Sequence, residues 1–220
     1  MPFIRQYQAT DLNEVVHIFN ETAAPDLRAG GEIILDLACH IWCRPYLMLR
    51  PETCFVLDDD HGRAVGYILA ALDTRAYVQS YKEVYIPHLI SEGYLEPGVG
   101  EPSDWDTNLP SALKKIMHTP EGALHREAPD LIDSYPGHLH IDVLAPYQRH
   151  GWGRRLIERI LEIAKRFQTP GIHLIMAASN QEAKIFYPKV GFSRFPQILD
   201  NGESGEEGRD KTTIWFVKSL

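Results

Sequence analysis

The sequence predicts a mixed α/β sheet with flanking helices, and three features carry that prediction. Short apolar runs of strand length recur along the chain, at Phe3–Tyr7, Thr53–Leu57, Ala64–Leu72, 138–144, 172–178 and 212–220. Amphipathic stretches with a 3.6-residue period lie between the later ones. The resulting order is two paired strands, a long helical segment, then strand–helix–strand–helix–strand–strand. That order describes a layered sheet and not a bundle or a sandwich.

The chain has 220 residues, enough to bury a full core, with an ordinary 44% hydrophobic and 24% charged residues. The net charge of -8 argues against a basic nucleic-acid surface and is compatible with a cationic substrate. No apolar run reaches membrane-spanning length, so no membrane partner is expected. The opening residues, MPFIRQYQATDLNEV, lack the apolar stretch of a secretory signal, which points to an intracellular, cytoplasmic protein, or a nuclear one in a eukaryote.

Taken in order, Phe3–Tyr7 reads as an edge strand. Thr10 can cap the next helix, where Leu12, Val15, Val16 and Phe19 share a face. Gly30 and Gly31 separate it from a second helix, from Glu32 to about Met48, with Pro45 disturbing the last turn. Cys39, His40 and Cys43 fall in this helix. No second ligand pair follows at zinc spacing, so they read as core residues and no metal is assigned. Thr53–Leu57 and Ala64–Leu72 flank an acidic, glycine-containing turn, the pattern of a β-hairpin. Gly66 inside the second run marks a bulge or a close backbone approach.

Residues 76 to about 136 are rich in proline, with helical fragments near Val84–Glu92 and Ser111–His118. A connection this long is seldom empty loop, so it reads as a small helical insertion lying over the sheet. Between Glu92 and Asp133 stand Glu92, Glu96, Glu101, Asp104, Asp106, Glu121, Glu127, Asp130 and Asp133, against Lys114, Lys115 and Arg126. Such an excess is either a solvated face or a field that steers a cation.

The last third is the most explicit. Strand 138–144 runs into the turn Gln148-Arg149-His150-Gly151-Trp152-Gly153, and a helix follows from about Trp152 to Phe167. Its apolar stripe is Leu156, Ile157, Ile160, Leu161, Ala164 and Phe167. A buried strand comes next, then a short helix over 180–190, capped by Ser179 or Asn180 and stopped at Gly191. Residues 200–211 read as a mobile acidic loop before the final strand. A glycine turn between a strand and a helix N-terminus gathers free backbone N–H groups, a physical site for a phosphate or pyrophosphate. Its spacing is neither the dinucleotide fingerprint, since position 156 is leucine, nor a Walker loop.

Gln148-x-x-Gly151-x-Gly153 resembles the acetyl-CoA signature of the GNAT N-acetyltransferases, Q/R-x-x-G-x-G/A. Asn180-x-x-Ala183-x-x-Phe186-Tyr187-x-x-x-Gly191-Phe192 is similar to the second landmark of that superfamily. The segments CFVLDDDHGRAVGYILAALDT, YIPHLISEGY, SYPGHLHIDVL and VKSL extend the resemblance to the acetyltransferase-like domain of the O-GlcNAcases and its stand-alone bacterial and fungal relatives, over nearly the whole chain. The resemblance implies one GNAT domain over 1–220. Its sheet would be mixed and mostly antiparallel, with a central strand splayed at the acetyl-CoA site.

It also implies roles. Val143 and Leu144 would pair with the pantetheine arm through their backbone, and Gln148, Arg149, His150, Gly151, Trp152, Gly153 and Arg154 would hold the pyrophosphate. Asn180 would contact the pantetheine region and Phe186 would line it. Tyr187 would protonate the leaving thiolate, a step suited to a phenol whose ordinary pKa of about 10 exceeds a thiol's. Two departures stand out: Ala145 occupies the family's usual proline position, and Pro188 directly follows Tyr187. For the general base the residues suggest Asp142, on the splayed strand with His138 and His140 on its face at period-two spacing; a structural carboxylate is the other reading. His173 reads as a core histidine, and Trp152 packs under the cofactor or the helix. The implied activity is acetyl transfer from acetyl-CoA to a primary amine by direct attack, the amine being a protein or histone-like lysine or a small molecule. The alternative is an inactive pseudo-acetyltransferase that serves as a cofactor- or protein-binding module.

Overall fold

The computed structural model describes residues 1–96, 108–126, 128–196 and 213–220. The acidic segment 200–211 lies outside them, as do Glu101, Asp104, Asp106 and Glu127. The described strands are β1 (Phe3–Gln6), β2 (Cys54–Asp58), β3 (Ala64–Ala71), β4 (Gly137–Val143), β5 (Gly171–Ala177), β6 (Ser193–Arg194) and β7 (Thr213–Ser219). They form one sheet in the order β1-β2-β3-β4-β5-β7-β6. Every neighbouring pair is antiparallel except β4 and β5, which are parallel.

That exception shapes the molecule. β3 and β4 pair from Gly66↔Val143 to Ala71↔His138, but β4 and β5 pair only at Gly137↔Ile172 and His138↔His173. Beyond His138 the two strands part, and the sheet opens as a wedge toward the C-terminal ends of β4 and β5. Antiparallel neighbours hold both flanks, so the opening stays confined to this seam.

Period-two alternation gives the fully buried β2 and β3 two buried faces. On one face, Cys54, Val56, Tyr67, Leu69 and Ala71 meet helices α1 (Leu12–Thr22), α3 (Gly31–Trp42), α4 (Arg44–Leu49) and α5 (Thr74–Ser80). On the other, Phe55, Leu57, Ile68, Ala70, Leu139 and Val143 meet α9 (Trp152–Arg166) and α10 (Gln181–Lys189). A short helix α2 (Pro25–Ala29) joins α1 to α3. Between β3 and β4 the described residues are largely helical, with a π-helical turn over Tyr81–Tyr85 and helices α6 (Ile86–Ser91), α7 (Leu109–His118) and α8 (Pro129–Ser134). Within this stretch Glu121 pairs with Lys82 and Asp133 with Arg75, both at 2.5 Å, so part of the acidic excess is compensated locally.

The hairpin register slips between Leu57↔Gly66 and Asp58↔Ala64, so Val65 is the extra residue of a bulge beside Gly66. A side chain at Gly66 would meet the Asp142 carbonyl and the Val143 side chain at 3.1 Å, so glycine here also permits the approach of β4.

Three expectations need correction. Thr10 does not cap α1. A short 3-10 turn over Ala9–Asp11 precedes the helix, and Asp11, buried, accepts the Gln8 N–H (2.8 Å) and both Arg5 Nη groups (2.7 Å). The second helix breaks at Cys43, earlier than its last turn, because the Pro45 ring cannot sit within a continuous helix and instead opens α4. Phe167 is 68% exposed at the end of α9, and Ile163 takes its place in the buried stripe.

Candidate active site

The wedge opens onto a cavity of about 510 Å³, walled by His17, Glu21 and Thr22 of α1, by Asp142, Leu144, Ala145, Pro146 and Gln148, and by Asn180. Asp142, Leu144, Gln148 and Asn180 were expected from the sequence. The α1 residues were not.

Leu144 N–H donates to the Val65 carbonyl at 3.0 Å, so that amide is committed to β3 and Leu144 offers its side chain to the wall. Alternation then directs the backbone of Val143 toward the gap, where β5 has already diverged. The Val143 carbonyl accepts the side-chain amide of Gln148 at 2.7 Å, tying the turn to the strand end. Arg149 adopts φ 62° and Gly151 φ 83°, the left-handed conformations that reverse the chain before α9. Arg149 pairs with Glu182 of α10, and the His150 Nδ1–H donates to the Gln148 carbonyl at 2.7 Å. The Arg155 guanidinium lies 4.6 Å over the Trp152 ring, and Arg154 Nη2 donates to the Lys189 carbonyl at 3.1 Å. The exposed turn thus presents the first amides of a 15-residue helix, flanked by cationic side chains.

The two glycines of this turn do different things. A side chain at Gly151 would meet nothing within 4 Å, and its conformation alone demands glycine. One at Gly153 would press on the Phe186 ring at 3.2 Å, so this glycine lets α9 pack against α10. Asn180, of the two candidate caps, is the one that caps α10, its Oδ1 accepting the Ala183 N–H at 3.0 Å. α10 runs through Pro188 to Lys189, and the break that proline might impose is confined to its last turn.

Tyr187 is buried among Phe186, Phe192 and Phe216, with 8% exposure. Burial, reinforced by the Asp142 charge, raises its pKa well above the ordinary phenol value and keeps it protonated.

Asp142 is the chemical centre of the cavity. Burial raises its carboxyl above the usual carboxylate range, while the His140 charge and the Tyr67 hydrogen bond pull the other way. Tyr67 is fully buried and its Oη–H donates to Asp142 Oδ2 at 2.6 Å. His140 Nδ1 lies 3.1 Å from Tyr67 Oη and 3.4 Å from the same Oδ2. His138 belongs to another group, with Nδ1 2.7 Å from Thr74 Oγ1. His173, 4% exposed, donates from Nδ1 to the Tyr135 carbonyl at 2.6 Å, and burial lowers its pKa to about 4.

A parallel strand pair thus splits, with an amide-rich turn at the split and an ionisable carboxyl in the resulting cavity. The acetyltransferase (GNAT) domain family matches residues 123–194. The crystal structure of SsHAT is 30% identical with a TM-score of 0.78, covering 99% of this chain and 98% of that one. The NatC complex bound to Gag peptide and CoA has a TM-score of 0.55 at 11% identity, covering 100% and 98%. The ribosomal-protein-alanine N-acetyltransferase of Brucella melitensis has a TM-score of 0.53 at 15% identity, covering 99% of each chain. The chain belongs to the GNAT acetyltransferase family and is an N-acetyltransferase.

Proposed function

We propose that this enzyme uses acetyl-CoA to acetylate a primary amine that reaches the cavity as an ammonium ion, a protein lysine or a small amine. The observation that carries the reading is the placement of Asp142 and Glu21 in the wall of the cavity at the mouth of the β4–β5 wedge. Two carboxylates and the C-terminal end of α1 favour a cation there.

The residues fit coenzyme A. The amides of Arg149 to Arg154 suit its pyrophosphate, the gap-facing backbone of Val143 suits its pantetheine arm, and Asn180 lines the same cavity. When bound, it supplies the acetyl group as a thioester. Asp142 holds the ammonium and takes its proton, its carboxylate already oriented by the Tyr67 hydrogen bond. A pKa above the ordinary range makes this carboxylate a stronger base. Tyr187 keeps a proton on Oη for the departing sulfur. No described cysteine lies in the turn or in α10, and the amine itself serves as nucleophile.

Titration calorimetry with acetyl-CoA, followed by a thiol-release assay across lysine peptides and small amines, tests this. Saturable binding with amine-dependent thiol release is expected. Absence of binding at millimolar acetyl-CoA overturns the cofactor assignment, and binding without turnover of any amine favours the pseudo-acetyltransferase.

A further inference from the structure

Asp142 is held by a side chain from the neighbouring strand. In the β3–β4 ladder Tyr67 stands directly opposite Asp142, and Leu69 opposite His140. Strand alternation puts Tyr67, Asp142 and His140 on the helical face, where the His140 ring stacks beside Tyr67 with centroids 5.9 Å apart and planes 21° apart. A fully buried tyrosine hydroxyl needs a partner, and here it has two. It carries a single proton, and the 2.6 Å contact gives that proton to Asp142 Oδ2. Its oxygen can then only accept from His140, which requires a proton on Nδ1. The hydrogen bonds run one way, from His140 to Tyr67 to Asp142, each polarising the next.

We propose that Tyr67, braced by His140, is a positioning residue for acetyl transfer: its hydrogen bond orients the Asp142 carboxylate toward the amine. The proposal rests on Asp142 being the base. The ionisable groups facing Asp142 are His17 and Glu21 from α1, Tyr67 from β3, His140 from β4, Cys43 at the end of α3 and Tyr187 from α10. Among them Tyr67 makes the shortest recorded hydrogen bond to the carboxylate. Because that bond favours the charged form, its loss moves the Asp142 titration upward.

The test is ¹³C NMR titration of carboxyl-labelled aspartates in the full chain, with Asp142→Asn identifying the resonance. Tyr67→Phe removes one oxygen and keeps the ring. We expect it to raise the Asp142 midpoint by roughly one pH unit. The acid limb of kcat/KM, measured with acetyl-CoA and Nα-acetyl-lysine amide, should move by the same amount while acetyl-CoA affinity holds. His140→Leu should move both in the same direction, and it decides the matter if Tyr67→Phe does not fold. An unmoved midpoint in the folded variants, or a uniform loss of rate at every pH, overturns the positioning role. If Asp142→Asn keeps the wild-type rate, the base assignment fails instead, whatever Tyr67→Phe does to the titration.

Discussion

The two sides of the gap between β4 and β5 are built by different means. On the proposed reading, the groups on the side of α9 and α10 are backbone: the turn amides, the gap-facing backbone of Val143 and the helix N-terminus, arranged by Gly151, by Gln148 and by the Asn180 cap. On the side of α1 and the helical layer they are side chains: Asp142, Tyr67, His140, His17 and Glu21, brought from three separate segments. A backbone site recognises what every acyl-CoA shares. A side-chain site can be refitted residue by residue, so the proposed function puts the choice of acceptor there.

The largest effect separating the two sides is expected from Asp142→Asn. Replacing the base should lower kcat/KM by about 10²–10⁴-fold, the usual range for a positioned general base, while the acetyl-CoA dissociation constant stays near wild type. Steady-state kinetics beside calorimetry reads both. The wild-type kcat/KM should fall as pH drops through the Asp142 pKa, which burial places above the ordinary carboxylate range. Stability should move the opposite way to activity. Folding raises this pKa, so the ionised form costs the fold stability above the folded value, and that cost is absent below the unfolded value. Asp142→Asn removes the charge and should raise the melting temperature at neutral pH. Lower stability together with lost affinity would mean that Asp142 supports the cofactor side as well.

The same division explains what could be read before the fold was known. Gly151, Gly153 and Asn180 announce themselves because one local conformation or contact demands each residue type, so sequence spacing suffices. The stripe on α9 was legible for the same reason, apart from Phe167, where the helix ends before the next turn can bury it. Tyr67 could not be found this way. It lies 75 residues from Asp142, and only the cross-strand register brings them together. His17 and Glu21 look like the solvent side of an amphipathic helix, and nothing local distinguishes a solvent face from a cavity wall. The start of α1 was misplaced because a long-range partner shapes it, Arg5 and Asp58 from separate strands being joined at 2.8 Å beside Asp11, whereas the break at Cys43 follows from Pro45 opening α4.

On the backbone side, Gly151→Val should act through conformation alone, since no neighbour stands in its way. A β-branched residue at φ 83° costs roughly 1–3 kcal/mol, and relaxing the turn to escape it misaligns the amides. Acetyl-CoA affinity should fall about tenfold or more, with kcat at saturating cofactor much less affected. The reverse pattern would place the turn on the acceptor side of the comparison.

In the proposed mechanism Tyr187 belongs to both sides, lying in the α10 core while serving the chemistry. Tyr187→Phe should lower kcat about tenfold with little change in acetyl-CoA affinity, less than the loss of the base. The reason is that a thiolate, with an ordinary thiol pKa of about 8.5, leaves tolerably well without full protonation. Wild-type turnover would remove Tyr187 from the chemistry and leave it as packing against Phe192 and Phe216.

The smallest expected effect is the sharpest test of how the turn works. Gly153 and Gly151 sit two residues apart in one signature, yet the missing side chain of Gly153 faces Phe186 at 3.2 Å while that of Gly151 faces open space. Gly153→Ala therefore sets a gain in helix propensity of up to about 1 kcal/mol against the displacement of a half-buried ring by a few tenths of an ångström. The two nearly cancel, and the melting temperature should shift by no more than roughly 2–4 °C in either direction. Affinity for acetyl-CoA should hold within about threefold, because the backbone amides keep their places. Gly153→Leu cannot be absorbed so easily, and should destabilise by separating α9 from α10. If Gly153→Ala instead weakens binding as much as Gly151→Val does, the amides of this turn depend on the α9–α10 contact as much as on the left-handed residue before the helix.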